Sequence, residues 1–249
     1  MNCLKRLKNE FKPFLKLKNE FGVSIDNNYI NLYLKRGYNN LNNFKHIKFE
    51  NGNLIIDLTD INDKNINLYI GNTLINNKKV KDIKILCNNI SVYLEDYNTI
   101  ECDNLYVKTN GKIRLNSIDV KNDVVIIADA IESQIGLSVN SNNQNYIAKK
   151  ASIKYGFLDA SNTIRLNVKD IEFFSSGIFS KELFIDSDNV SLSHIINFEA
   201  DSLTINSNIV IGNNSTIVAK YADITSNDCK DLNIVSDQLK QKNKVKIKI

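Results

Sequence analysis

Residues 183–226 read LFIDSDNVSLSHIINFEADSLTINSNIVIGNNSTIVAKYADITS, and this stretch decides the fold. It parses into short, mainly apolar strands separated by polar corners. Leu183-Phe184-Ile185 is followed by Val190-Ser191-Leu192 and by Ile195-Ile196-Asn197-Phe198. A second set then comes as Leu203-Thr204-Ile205, Ile209-Val210-Ile211 and Ile217-Val218, and Ile224 opens a third. Where apolar and polar residues alternate, as in Val190-Ser191-Leu192 and Leu203-Thr204-Ile205, one face is buried and the other polar. Three strands per repeat of roughly 20 residues is what one rung of a triangular β-helix requires.

The rhythm extends over most of the chain. An acidic residue followed by an apolar strand occurs at Asp82-Ile83, Asp103-Asn104-Leu105, Asp123-Val124, Asp170-Ile171, Glu182-Leu183, Asp201-Ser202-Leu203 and Asp223-Ile224, with Lys150-Ala151 standing in once. Read as one repeat position, these predict about nine rungs stacked at ~4.8 Å, a rod near ~40 Å long. Breaks near 133–147 and 171–182 read as looped-out insertions. A sandwich of antiparallel hairpins is the competing arrangement, because alternation alone does not fix strand order.

Composition points the same way. Among 249 residues there are 35 isoleucines, 9 glycines, a single proline and 40 asparagines. β-Branched residues favour the pleated sheet. With glycine scarce, asparagine is expected at the tight turns, since it best tolerates left-handed backbone. The expected class is therefore all-β: a single-stranded β-solenoid, read as a right-handed parallel β-helix, with a short N-terminal amphipathic helical cap.

Three segments follow. Residues 1–21 place Leu4, Leu7, Phe11, Phe14 and Phe21 at helical spacing, with Lys5, Arg6, Lys8, Lys12 and Lys16 around them and Pro13 opening a second piece. Residues 22–239 form the solenoid. Residues 240–249 are a lysine-rich terminal strand in which Lys244, Lys246 and Lys248 alternate with Val245, Ile247 and Ile249. The first segment carries about +4 and the last about +5, while the whole chain is +4, so the body is near −5. The sharp reading makes Lys5, Arg6, Lys8, Phe11, Phe14, Lys244, Lys246 and Lys248 an interaction set for a partner, a second copy or an anionic membrane surface. The plain reading makes the same segments a cap and a last strand whose lysines discourage further pairing.

No chemistry emerges from the motifs. His46 and His194 are far apart and neither lies near a cysteine, which opposes a zinc site. His194 reads as a solvated corner residue. The carboxylates Asp57, Asp60 and Asp63, Glu95-Asp96, and Asp186 with Asp188 lack the glycine and terminal glutamate of a calcium-binding EF-hand loop. The acids opening the repeats read as turn formers. Four arginines, and no recurring basic–acidic cluster, argue against a polysaccharide-active enzyme. No phosphate loop, dinucleotide fingerprint or nucleophile elbow is present, so no cofactor and no enzymatic activity are expected. The ends contain no nucleic-acid-binding module. Cys3, Cys87, Cys102 and Cys229 are scattered, which fits thiols in a reducing compartment better than a disulfide framework, with Cys87–Cys102 the one pairing worth considering. Without an apolar h-region or a membrane-length apolar run, the expected location is cytoplasmic.

Phe198–Ser226, with Ala200, Leu203 and Ile205 in an Ala-x-x-Leu-x-Ile rhythm, resembles the repeats of haemagglutinin-type bacterial adhesins. That resemblance implies a right-handed parallel β-helix and surface adhesion or carbohydrate binding. In size and basic ends the chain also resembles the bactofilins, which implies a cytoplasmic scaffold that polymerises end to end.

Overall fold

A computed structural model describes residues 17, 20–26, 29–33, 44–70, 74–75, 78–94 and 99–242. Its strands are β1 (Gly22–Asp26), β2 (Tyr29–Tyr33), β3 (Ile47–Glu50), β4 (Asn53–Leu58), β5 (Ile66–Ile70), β6 (Leu74–Ile75), β7 (Lys78–Lys79) and β8 (Asp82–Cys87). There follow β9 (Ser91–Leu94), β10 (Ile100–Cys102), β11 (Asn104–Lys108), β12 (Lys112–Val120), β13 (Asp123–Lys154), β14 (Phe157–Phe174), β15 (Gly177–Ser193) and β16 (Asn197–Lys242). The last four run through corners without losing strand geometry, as stacked parallel coils do. The β-solenoid is thus the fold, and the sandwich is excluded: apart from the pairs β1–β2, β3–β4 and β6–β7, every pairing is parallel.

Three stacks of side chains fill the interior. On the first face Leu54, Ile83, Leu105 and Val124 lie in register, and Ile164, Leu183 and Leu203 continue the series. The second face stacks Leu32, Leu68, Val92, Ile113 and Ile131, then Ala151, Ile171, Val190 and Val210. The third stacks Ile100, Ile118, Val139, Leu158, Ile178 and Phe198. All of these side chains belong to one buried cluster. Because coils contact mainly their neighbours, stability accrues coil by coil. A buried polar pair breaks the aliphatic stack once. Gln144 Nε2 donates to the carbonyls of Val139 and Asp159, and the Tyr146 hydroxyl donates to Gln144 Oε1 at 2.9 Å. Every strong donor of the pair is thereby satisfied, as burial demands.

The solenoid has about seven turns and not nine. Part of the difference lies at the N-terminal side, where β1–β2 and β3–β4 are hairpins. The coil from Leu54 to Ile83 also consumes much more chain than the coil from Ile164 to Leu183. In addition, the acidic signature marks two different positions. Asp123 and Glu182 open the first face, but Asp170 pairs with Asn189 at the start of the second. For the same reason 171–182 contains no looped-out insertion: Asp170–Phe174 pairs continuously with Asn189–Ser193. The break near 133–147 is present, because the register jumps between Ser133 and Ser138 and leaves Ile135 85% exposed.

One corner recurs with a fixed backbone conformation. Gly136, Tyr155, Ser175, His194, Asn213 and Asp231, each one coil after the last, all have positive φ. Asparagine takes this role here only at Asn213. His194 is exposed at this corner, as expected.

Candidate functional site

The expected interaction residues Lys5, Arg6, Lys8, Phe11, Phe14, Lys244, Lys246 and Lys248 lie outside the described residues, as do Leu4, Leu7, most of the expected helical cap and the Glu95-Asp96 pair. Of the first segment Leu17, Glu20 and Phe21 are described, and they do not establish the expected helical cap. The Phe21 amide donates to the Leu17 carbonyl at 2.7 Å, and both side chains are in the core.

Beside them is a buried polar cluster that the sequence did not reveal. Glu20 Oε2 accepts from the His46 backbone amide at 2.8 Å and lies 3.1 Å from His46 Nδ1, while Oε1 accepts from the Lys45 amide at 3.3 Å. On the far side of the ring, His46 Nε2 is 3.2 Å from Asp60 Oδ1, within ion-pair distance but off the line of a hydrogen bond. Lys45 Nζ pairs with Asp60 Oδ2. That hydrogen bond holds the Asp60 carboxyl below its ordinary range; desolvation opposes the shift and the His46 charge adds to it. The nearby Thr59 hydroxyl is bonded to Asp57 Oδ1 at 2.6 Å. The cluster therefore fastens the first segment to β3 and the loop after β4. Among the described residues no group of three or more histidine, cysteine or carboxylate side chains is arranged to hold a metal.

At the other end, the last coil is regular. Leu232 and Ile234 extend the core, and Lys220–Asp201 (2.7 Å) and Lys230–Asp228 (2.8 Å) pair on the surface. Among the described residues, no separate strand follows β16, whose one inter-strand partner is β15. Val218, Tyr221 and Val235 are 43%, 54% and 58% exposed on these final coils.

Along the sides, polar residues are tied to the coil below. Asn104 donates to Asp82, Asn143 to Asp123 and Asn189 to Asp170, at 2.6 to 2.8 Å. These aspartates thus accept hydrogen bonds from the neighbouring coil. At the corner between the first and second faces a longitudinal groove runs over several coils. Its floor is made by small residues, Ser187, Ser207 and Ser226, whose hydroxyls lie within hydrogen-bond reach of backbone carbonyls of their own coil and the one below. Asp186 and Asp188, noted as a carboxylate pair, stand on opposite walls of it.

Cys87, Cys102 and Cys229 are buried free thiols, so a Cys87–Cys102 disulfide is absent. Burial, with Asp57 adding to it, pushes the Cys87 thiol up to about 12. No described helix is long and apolar enough to cross a membrane. Comparison with protein-family models, with curated proteins and with solved structures returned no match for this chain.

Proposed function

We propose that this protein is a non-enzymatic structural element, a short solenoid rod that assembles with itself or docks a partner through its ends. The observation that carries the reading is the regular last described coil, on which Tyr221 and Val235 are exposed and beyond which no further strand pairs among the described residues. A sheet edge of this kind is a template for another chain. Charge supports the same reading, since residues 1–21 and 240–249 are basic and the body between them is acidic. Like charge disfavours side-by-side contact between two acidic bodies, and the two basic segments favour an acidic partner surface over each other. The side surfaces add support by what they do: their charged groups pair along the axis, as in Lys149–Asp129 and Lys154–Glu172, instead of converging on a point.

Sedimentation velocity and electron microscopy across protein concentration and salt test this reading. End-joined dimers or filaments that grow with concentration, and are weakened in a Val235→Lys variant, are the expected result. Isolated monomers at every concentration, with no partner retained by the intact chain, would overturn it.

A further inference from the structure

We propose that the groove at the corner between the first and second faces binds an extended, uncharged glycan, with successive sugars lying against successive coils. This inference is independent of end assembly, because every residue it uses lies on the side of the rod.

The two walls of the groove differ. On one, Asn167, Asp186 and Asn206 are in register across three consecutive coils, and no hydrogen bond or ion pair within the described residues engages their side chains. On the other, Asn208 Nδ2 donates to Asp188 Oδ1 at 3.3 Å, and Asn227 Nδ2 donates to Asn208 Oδ1 at 3.2 Å. An amide has two N–H donors and an oxygen with two lone pairs, so a side chain zipped along the axis keeps one donor and one lone pair facing outward. One wall is thus fixed and the other is unoccupied, and both repeat with the coil. The groove encloses about 510 Å³, and its serine floor leaves room between the walls.

The repeat and the charge select the ligand. Coils recur every ~4.8 Å, and identical groups recur at that step. An extended chain of β-linked hexoses advances by about the same length per sugar and offers hydroxyls on both edges. Successive sugars are turned over, but each still offers a hydroxyl to either edge, whereas a bound polypeptide strand presents its groups to one edge only every ~6.6 Å and falls out of step within two coils. Lys149 and Lys169 stand near one end against Asp186 and Asp188 in the middle, a formal sum of zero, with only Asn206, Asn208, Thr225 and Asn227 beyond. Such a groove offers a polyanion no net attraction. It presents no aromatic ring, so recognition runs through hydroxyls and not through stacking on sugar faces.

Calorimetry and affinity electrophoresis of the full chain, with cellohexaose, mannohexaose and soluble unsubstituted xylan as probes and polygalacturonate as the charged control, test the proposal. At least one neutral probe should bind, insensitive to salt, and tighten from monosaccharide to about four sugars before levelling off. The N206A/N208A variant should bind at least tenfold more weakly while keeping its thermal midpoint within a few degrees, and a Ser161→Ala variant, outside the groove, should bind normally. The proposal fails if no neutral probe binds, if binding is unchanged in N206A/N208A, if a monosaccharide binds as tightly as a hexasaccharide, or if polygalacturonate binds in preference and is released by salt.

Discussion

The coils up to Leu94 and those from Ser138 to Ile234 bury similar side chains, yet they are held in different ways. In the first region the partners of a strand come from unequal distances: the chain between Leu54 and its partner Ile83 is clearly longer than that between Ile83 and Leu105. Hairpins reverse the chain, Glu20 reaches far along the sequence to His46, and Tyr33, Tyr69 and Tyr93 stack on the outside at 4.9 and 4.6 Å. In the second region each coil has nearly the same length and turns on one left-handed residue. It bonds to the coil below through repeated polar pairs, Asn189–Asp170, Asn208–Asp188 and Asn227–Asn208 among them. The first region is specified by particular long-range contacts, and the second by a local rule applied several times. The two should therefore fail differently.

The largest effect is expected from Phe173→Ala. Phe173 is fully buried in the regular region and meets Phe198 edge-on with centroids 5.8 Å apart. Its loss should cost ~3–5 kcal/mol in urea unfolding. Hydrogen exchange should show the loss in Ala151–Ile211 while β4 and β8 keep their protection, because coupling in a solenoid passes between neighbours. Uniform loss along the chain would mean that the two regions form one cooperative unit and that the contrast between them is only geometric.

Next in size is Glu20→Ala, which leaves the His46 amide and ring without their buried acceptor at a cost of ~1–3 kcal/mol. Here the loss of protection should fall on β3 and β4 and spare β14 to β16. The cluster also carries a pH dependence of definite sign. The Asp60 carboxyl is lowered in the folded state, so its contribution is full above the ordinary carboxylate range and is lost as pH falls through the lowered value. Asp60→Asn should lower stability at pH 7, where the contribution is full, and flatten the acid limb below about pH 4, so that the two proteins converge in acid. An unchanged acid limb would show that Asp60 does not sense this environment.

The regular region is legible in the sequence because its rule is local. Alternating isoleucines identify strands, and the recurring rhythm identifies coils. Faces are harder to tell apart, since an acid precedes both a first-face and a second-face strand and nothing in Asp170-Ile171 distinguishes it from Asp123-Val124. At Ile209-Val210-Ile211 three apolar residues in a row leave the register open in the sequence. Pairing with Asn189-Val190-Ser191 puts Val210 inside and leaves Ile209 38% exposed. A one-residue slip reverses every side chain, and only the neighbouring coil sets it. The β3–β4 hairpin does have a signal, Asn51-Gly52 with φ of 54° and 88° between paired strands, the strongest short-range hairpin mark there is. The repeat rhythm overshadows it. The Glu20–His46 contact carries no signal, because nothing local links a carboxylate to an imidazole so far along the chain. The groove is equally hidden: Asn167, Asp186 and Asn206 become neighbours only once the coil length is known to the residue.

Thiol labelling gives a smaller and more local comparison of the two regions. Cys87 sits in the irregular part with its thiol raised to about 12, and Cys229 sits in the last coil, raised less strongly by burial and by Asp228. Only the thiolate reacts, so at pH 8 both should be slow, with Cys87 at least tenfold slower than Cys229. Glu20→Ala should accelerate Cys87 alone. Equal rates for the two thiols in the unmodified protein would mean that the N-terminal coils open as readily as the terminal one.

The smallest effects test the local rule itself. Left-handed backbone costs an ordinary L-residue roughly 1–2 kcal/mol, and asparagine tolerates it best among non-glycine residues. Asn213 has φ of 38° and its amide donates to Ser193 Oγ at 2.9 Å, so Asn213→Ala should lose about 1 kcal/mol. Ser175 occupies the same corner two coils earlier, with φ of 44°. Ser175→Asn should gain about 0.5 kcal/mol, because it relieves the same backbone cost without the chain entropy that glycine would add. The pair must move in opposite directions if the corner is a repeated device. Were both substitutions neutral in thermal unfolding, the positive φ values would follow from the stacking of the coils and not set it, and the regular region would owe its evenness to the core alone.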